Sequence, residues 1–247
     1  MPTKTQTKKD VNKKYPRRNG IYYRDTPEGV KKYVSITNAL QAIAKPQLIG
    51  WAAKGAARYA LNDPNLTEGQ AAGMIYGERD TKAAIGSTVH SLLEALELGA
   101  KVNLKGIPLK YRGYAESYNK FLDAWKPEVV HFNGKPLRET LVYSDKYGIA
   151  GRVDTILKLQ DGRQGVVDWK TGGIYDEAAL QAEAYKVCLE EMKMFKSNFT
   201  ATAKLHIDGT AATFAENTKG DFEVFLAALK IWKWQNPAMV EILNKDE

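Results

Sequence analysis

Residues 138–171 read RETLVYSDKYGIAGRVDTILKLQDGRQGVVDWKT, and no other stretch narrows the possible folds as far. Val, Ile, Leu, Tyr and Trp recur in three short runs, separated by turn signals at Ser144 to Gly148 and at Asp161-Gly162. This pattern predicts three consecutive antiparallel strands, a meander. Charged residues interrupt it: Asp154, Asp168 and Lys170 stand where an ordinary buried hairpin would be apolar.

The turn decides whether those residues meet. A three-residue loop, Gln160-Asp161-Gly162, with Gly162 in the left-handed region, pairs Leu159 with Arg163. Counting back sets Asp154 opposite Asp168, at an α-carbon separation of about 4.5 to 5.5 Å. Lys170 then shares their face, with Arg152 opposite it. Two carboxylates so close on a partly buried sheet repel, and at least one pKa rises unless a cation lies between them. Oxygen-rich pairs of this kind suit Mg²⁺ or Mn²⁺, which keep waters as further ligands and readily take a phosphate. The alternative is structural: salt bridges from Asp154 and Asp168 to Arg152 and Lys170 at a sheet edge.

Upstream, the chain reads as mostly helical. GIYYRDTPEGVKKYVS suggests a small hairpin around a Thr-Pro-Glu-Gly turn, after which Ser35 or Thr37 caps a helix. Pro46 suits the first turn of a second helix. Two further helices are expected over Thr67 to Tyr76 and Thr81 to Leu98, with Gly99 as a stop, and another over Tyr111 to Trp125, ended by Pro127. After the meander come a helix over Glu177 to Glu191, short strands in AKLHIDG and ATFAE, and a helix from Asp221 to Trp234 with Phe222, Phe225, Leu229 and Trp232 at core spacing.

Composition sets limits. The chain has 247 residues, 44% of them hydrophobic and 26% charged, enough for one large domain with a helical elaboration. One cysteine, Cys188, excludes an internal disulfide and an iron-sulfur cluster held by this chain alone. No segment resembles a secretory signal or is long enough to cross a bilayer, so no membrane partner and a cytoplasmic location are expected. The net charge of +7 gathers in residues 1–18, where Lys4, Lys8, Lys9, Lys13, Lys14, Arg17 and Arg18 face Asp10 alone. This tail favours a polyanionic partner or is simply a solvated arm.

Asp154 followed one strand later by Asp168-Trp169-Lys170 resembles the D…(D/E)xK signature of the PD-(D/E)xK nuclease superfamily. GSTVHSLLE upstream, the GRVD and DWKTG phrases, and QAEAY in the next helix occur in the order of its RecB-like branch, which includes phage exonucleases. The likeness spans roughly Thr81 to Tyr185, and SITNALQAIAKPQLIGWA more loosely resembles phage members. It implies an α/β, restriction-endonuclease-like fold: a mixed central sheet flanked by helices over about residues 81–235, with an N-terminal helical region over about 35–125, in a single domain over 19–247.

The resemblance also implies a site. His90, Asp154, Asp168 and the carbonyl of Trp169 would hold Mg²⁺ or Mn²⁺, and Lys170 would be catalytic. His90 and Glu94, four apart, share one helical face, which suits Glu94 to fix the imidazole or a bound water, although a lone helical histidine is more often structural. Gln181 and Tyr185 are four apart as well and would touch a phosphate or base; the alternative is a packed Tyr beside a solvent-facing Gln. Glu139 would hold a second ion or a water, or is an exposed strand charge. The implied activity is exonucleolytic hydrolysis of DNA, favouring single-stranded ends, with a structure-specific endonuclease or a non-catalytic DNA-binding module as rivals. Relatives that carry a 4Fe-4S cluster differ here. No GxxxxGK[ST] loop is present, so unwinding would fall to a replication or recombination partner.

Overall fold

The strands of the meander carry apolar side chains towards both faces, so helices must cover both, and they do. A computed structural model describes residues 17–97 and 104–245. Two short strands, β1 (Arg17–Arg18) and β2 (Ile21–Thr26), lead into β3 (Gly29–Ser35). Helices α1 (Ile36–Ala39), α2 (Pro46–Asn62), α3 (Glu68–Glu97) and α4 (Leu109–Trp125) follow. Then come β4 (Glu128–Val129), β5 (His131–Phe132), β6 (Lys135–Pro136) and the meander β7 (Arg138–Ser144), β8 (Ile149–Lys158) and β9 (Gln164–Lys170). The chain continues through α5 (Glu177–Glu191), β10 (Phe199–Lys204), β11 (Thr213–Glu216), α6 (Phe222–Gln235) and α7 (Pro237–Asn244).

The main sheet runs β1-β2-β3-β8-β9-β10-β11, with β4 and β7 also pairing β8, and β5 and β6 form a separate hairpin. It is mixed: β3 lies parallel to β8 and β10 parallel to β9, while the other pairs are antiparallel. The expected α/β architecture, a mixed central sheet flanked by helices with an N-terminal helical region, is the one observed. One face packs Tyr185, Cys188 and Leu189 of α5 with Phe225, Leu229 and Trp232 of α6. The opposite face packs Val89 and Leu93 of α3 with Tyr114, Tyr118 and Phe121 of α4.

Several elements differ from expectation for local reasons. The helix starting after Ser35 is a single turn, continued as a 3₁₀ turn over Leu40–Ala42, and Ser35 makes no side-chain cap. The two helices expected on either side of residue 77 are one helix of 30 residues. An isolated glycine weakens a helix by about 1 kcal/mol without ending it, and Gly77 has no proline near it. The helix starts with a reciprocal cap, Thr67 N–H donating to Gln70 Oε1 at 2.8 Å and Gln70 N–H to Thr67 Oγ1 at 3.3 Å. Gly99, the expected stop, lies outside the described residues, as does the basic tail up to residue 16. Arg17 and Arg18, assigned by sequence to that tail, belong to the sheet. The strand expected in AKLHIDG ends at Lys204.

The last long helix begins as expected. The Asp221 carboxylate accepts from the N–H groups of Glu223 and Val224 at 2.8 and 3.2 Å. Replacing Asp221 by Ala leaves those donors to water, and the expected cost is about 1 kcal/mol, read as a lower urea midpoint at unchanged slope.

Candidate functional site

The site is set by where the sheet stops pairing. Gly162 has φ +86° and Leu159 N–H donates to Arg163 O at 2.8 Å, so the hairpin has the expected turn and register. Pairing of β8 with β9 runs from Lys158 and Gln164 up to Thr155 and Val167 and then ceases. At the next position the Trp169 N–H donates to Asp154 Oδ2, at 2.8 Å, in place of a backbone carbonyl. On the same edge of β8, β3 pairs only at Ile149 and Ala150. The carboxyl ends of β3 and β9 therefore point at each other across an unpaired stretch, Gly151 to Asp154. Such gaps are where open α/β sheets place ligands.

Close packing keeps the gap open. Gly151 has to be glycine, because a β-carbon there would lie 2.4 Å from Tyr185 Cε1, and that ring is buried. Trp169 is held edge-to-face against both Tyr118 and Phe121, at centroid distances of 5.2 Å, which fixes the end of β9. In an extended strand the N–H and C=O of one residue share an edge, so the Trp169 carbonyl lies on the edge facing the gap with its N–H.

Three carboxylates converge there from three strands, and an imidazole joins them from a helix. The β7–β8 register sets Glu139 level with Asp154, and the β8–β9 count sets Asp168 level with it on the other side. His90 descends from α3, its Nδ1 3.5 Å from Asp154 Oδ1 and 3.9 Å from Glu139 Oε1. Ligand atoms of His90, Glu139 and Asp154 all lie within 4.8 Å of one another. One nitrogen and two carboxylate oxygens so placed fit a divalent cation with small closure of the side chains.

Asp168, expected among the ligands, is not part of that trio. Its Oδ2 lies 2.6 Å from Lys170 Nζ, and its Oδ1 accepts from Gln181 Nε2 at 3.0 Å. The same Gln181 amide donates to the Tyr185 hydroxyl at 3.0 Å. Tyr185 is therefore packed, as the structural alternative held, but Gln181 is not free in solvent; it holds Asp168. Glu139 takes the place beside His90 that was expected of Asp168, and Arg152 pairs with Glu139 at 3.5 Å while remaining exposed. Glu94 does not orient His90. Its backbone carbonyl accepts from Arg138 at 2.6 Å, and it lines the same cavity of about 670 Å³.

Electrostatics explains why these groups tolerate one another. Burial raises the Asp154 pKa and Asp168 raises it further, against the pull of His90 and Lys170. For His90, burial disfavours the charged ring, yet Glu139, Asp154 and Asp168 together outweigh it and raise the pKa to about 9. Burial likewise disfavours charged Lys170, but Asp168 more than compensates and its pKa rises. Burial would lift Glu139, and His90 and Arg152 hold it below its usual range. Two cationic side chains thus stand among three carboxylates.

One arrangement had no signal in the sequence. Arg138, beside Glu139, is buried with Glu97 of α3, each side chain 4% exposed, their charged atoms 3.6 Å apart. Tyr118 donates to Glu97 at 3.0 Å. Burial pushes Glu97 up to about 7 even though Tyr118 and Arg138 pull it down. This network ties the helix bearing His90 to the strand bearing Glu139, and Glu139 itself is held at φ +42°, an uncommon conformation for a residue with a side chain.

No family model matches the chain, and no curated protein does. Among solved structures, one described as the crystal structure of SSO0001 is similar over 84% of this chain and 75% of that one, at 16% identity and a TM-score of 0.36.

Two outcomes test the site. Arg138→Met strands the Glu97 carboxylate in a buried position, and a loss of about 3–5 kcal/mol is expected in chemical denaturation. Because His90 is protonated below about pH 9, a cation must displace that proton to bind. Affinity for Mn²⁺ should therefore strengthen as pH rises towards 9. Calorimetric titration near pH 7.5 in buffers of different ionisation enthalpy should show about one proton released per ion; none released would remove His90 from the ligand set.

Proposed function

We propose that this chain is a metal-dependent deoxyribonuclease that shortens linear DNA from its ends, with single-stranded ends favoured, acting in the cytoplasm. The observation that carries this reading is the meeting of Asp154, Asp168, Lys170 and His90 at one unpaired stretch of the sheet, in the combination that resembles the PD-(D/E)xK nucleases. His90, Glu139 and Asp154, with the Trp169 carbonyl nearby, would hold Mg²⁺ or Mn²⁺, which would supply Lewis-acid polarisation of a phosphate and a lowered pKa for a bound water.

The remaining work falls to side chains of the chain itself. Lys170 stays charged, because Asp168 stabilises its ammonium. In that state it offsets charge building on the phosphate oxygens and orients an attacking water rather than removing its proton. Asp168 is held between Lys170 and Gln181, so it fixes the ammonium in direction as well as in charge. Past Lys170, a β-carbon on Gly172 would meet nothing within 4 Å, which leaves room for a nucleic-acid backbone to approach. The cationic residues of the N-terminal segment add a sequence-independent attraction for phosphates.

Among the described residues no helix is long and apolar enough to cross a membrane. A role beside replication or recombination proteins belongs to the same proposal, since unwinding is not supplied by any nucleotide-binding loop in the sequence.

The test is cleavage of end-labelled linear single-stranded and duplex DNA beside a closed circle, with Mg²⁺, Mn²⁺ or EDTA. Linear DNA should be shortened only with metal, while circles survive. Lys170→Ala and Asp154→Ala should each lower the rate by about 10² or more. Cut circles would make the enzyme an endonuclease, and DNA binding without cleavage under any metal would leave only a binding module.

A further inference from the structure

A second cavity, of about 630 Å³, opens beside the carboxylate site and shares Thr37, His90, Lys170 and Gln181 with it. It extends away from them between α2, α3 and the loop over residues 171–175. Its chemistry is different. The first cavity is lined by Glu94, Glu139, Asp154 and Asp168; the second has Glu177 as the one carboxylate among its lining residues. Its outer wall presents Leu48 and Trp51 from α2 and Arg79, Lys82 and Ile85 from α3.

Three features of that wall point to a ligand that is both flat and anionic. Trp51 keeps part of its surface in the groove, and Leu48, one helical turn before it, is 40% exposed. Lys82 Nζ lies over the Trp51 ring, 5.1 Å from its centroid, so the cation covers one ring face and a stacking ligand takes the other face or displaces it. Lys82 pairs with Glu78 at 2.9 Å as well as lying over Trp51, and Arg79 pairs with Asp80 at 2.8 Å and lies over the Tyr76 ring, 5.2 Å from its centroid. Exposed pairs of this sort contribute little, so phosphate oxygens can replace them with little loss.

We propose that this groove holds the unpaired strand next to the phosphate at Lys170, with Trp51 stacking on a base and Lys82 and Arg79 contacting the backbone. The proposal rests on the nuclease reading and adds to it the residues that select single strands. A base inside a duplex has both ring faces covered by its neighbours, so along the strand, away from its last pair, only an unstacked base can lie on Trp51. The cations read no sequence, and selection therefore depends on strandedness rather than on base identity.

The test uses the full chain in EDTA, so that nothing is cut, with fluorescence anisotropy of a short labelled oligothymidine and of a blunt duplex. Trp51→Ala should weaken oligothymidine binding about tenfold and Trp51→Phe much less, with duplex affinity almost unmoved. Lys82→Gln should flatten the salt dependence of oligothymidine binding. Mn²⁺ titration of each variant, expected to match the wild type, reports that the fold and the carboxylate site are intact. Oligothymidine binding unchanged in Trp51→Ala, or single-strand and duplex affinities falling together, overturns the groove assignment. If the wild type still cuts DNA in that case, the nuclease reading survives alone. Should the wild type neither bind nor cut DNA, both readings fall.

Discussion

The arrangement around this site depends on a carboxylate that takes the place of a backbone acceptor. Asp154 Oδ2 receives the Trp169 N–H that would otherwise bond across the β8–β9 ladder. A buried backbone N–H has to find a partner, so the substitution is satisfied locally and the ladder can end inside the sheet without an orphaned donor. Because the strands part at that point, Asp168 and Lys170 project beside Asp154 rather than into a continued pleat. The gap and the acidic cluster have one cause.

Holding three carboxylates level across adjacent strands is unfavourable unless the surroundings are fixed. Two kinds of support share that task. Gln181 spans Asp168 and Tyr185, and the packed Tyr185 ring rests over Gly151, so the helix after the meander braces the carboxylates from one face. From the other face, Arg138 and Glu97 lock β7 to α3 in a buried pair with Tyr118. Such a pair gives little net stability but is costly to break, which favours one register of helix against strand. His90 and Glu139 are the residues whose separation that register sets.

The hairpin register was legible because a three-residue loop with Gly162 has few alternatives, and one loop then orders Asp154, Asp168 and Lys170. The place of Glu139 was less so. The loop from Asp145 to Gly148 restricts pairing less tightly, and the conformation of Glu139 depends on Arg138 being anchored by a helix more than forty residues earlier. The division of roles within the site was also hidden, since whether Asp168 faces His90 or Lys170 depends on the packing angle of α5, and periodicity does not encode that angle. The break expected between Tyr76 and Thr81 is absent for a different reason: tertiary contacts bury Ala71, Ile75, Val89 and Leu93 along one stripe that runs through it.

The continuity of α3 has a mechanical consequence. At 30 residues it is a rod about 45 Å long, with Arg79, Lys82 and Ile85 along its middle and His90 nearer its end. The helix contains no proline, and the Gly86-Ser87 pair lies between its middle and His90. Its first half leans on α2 through the pair of Arg58 with Glu78, whereas its last residue, Glu97, pairs with Arg138 of β7. The wall of the groove and the imidazole are carried by one helix, so the register that Glu97 and Arg138 fix places both at once against the sheet.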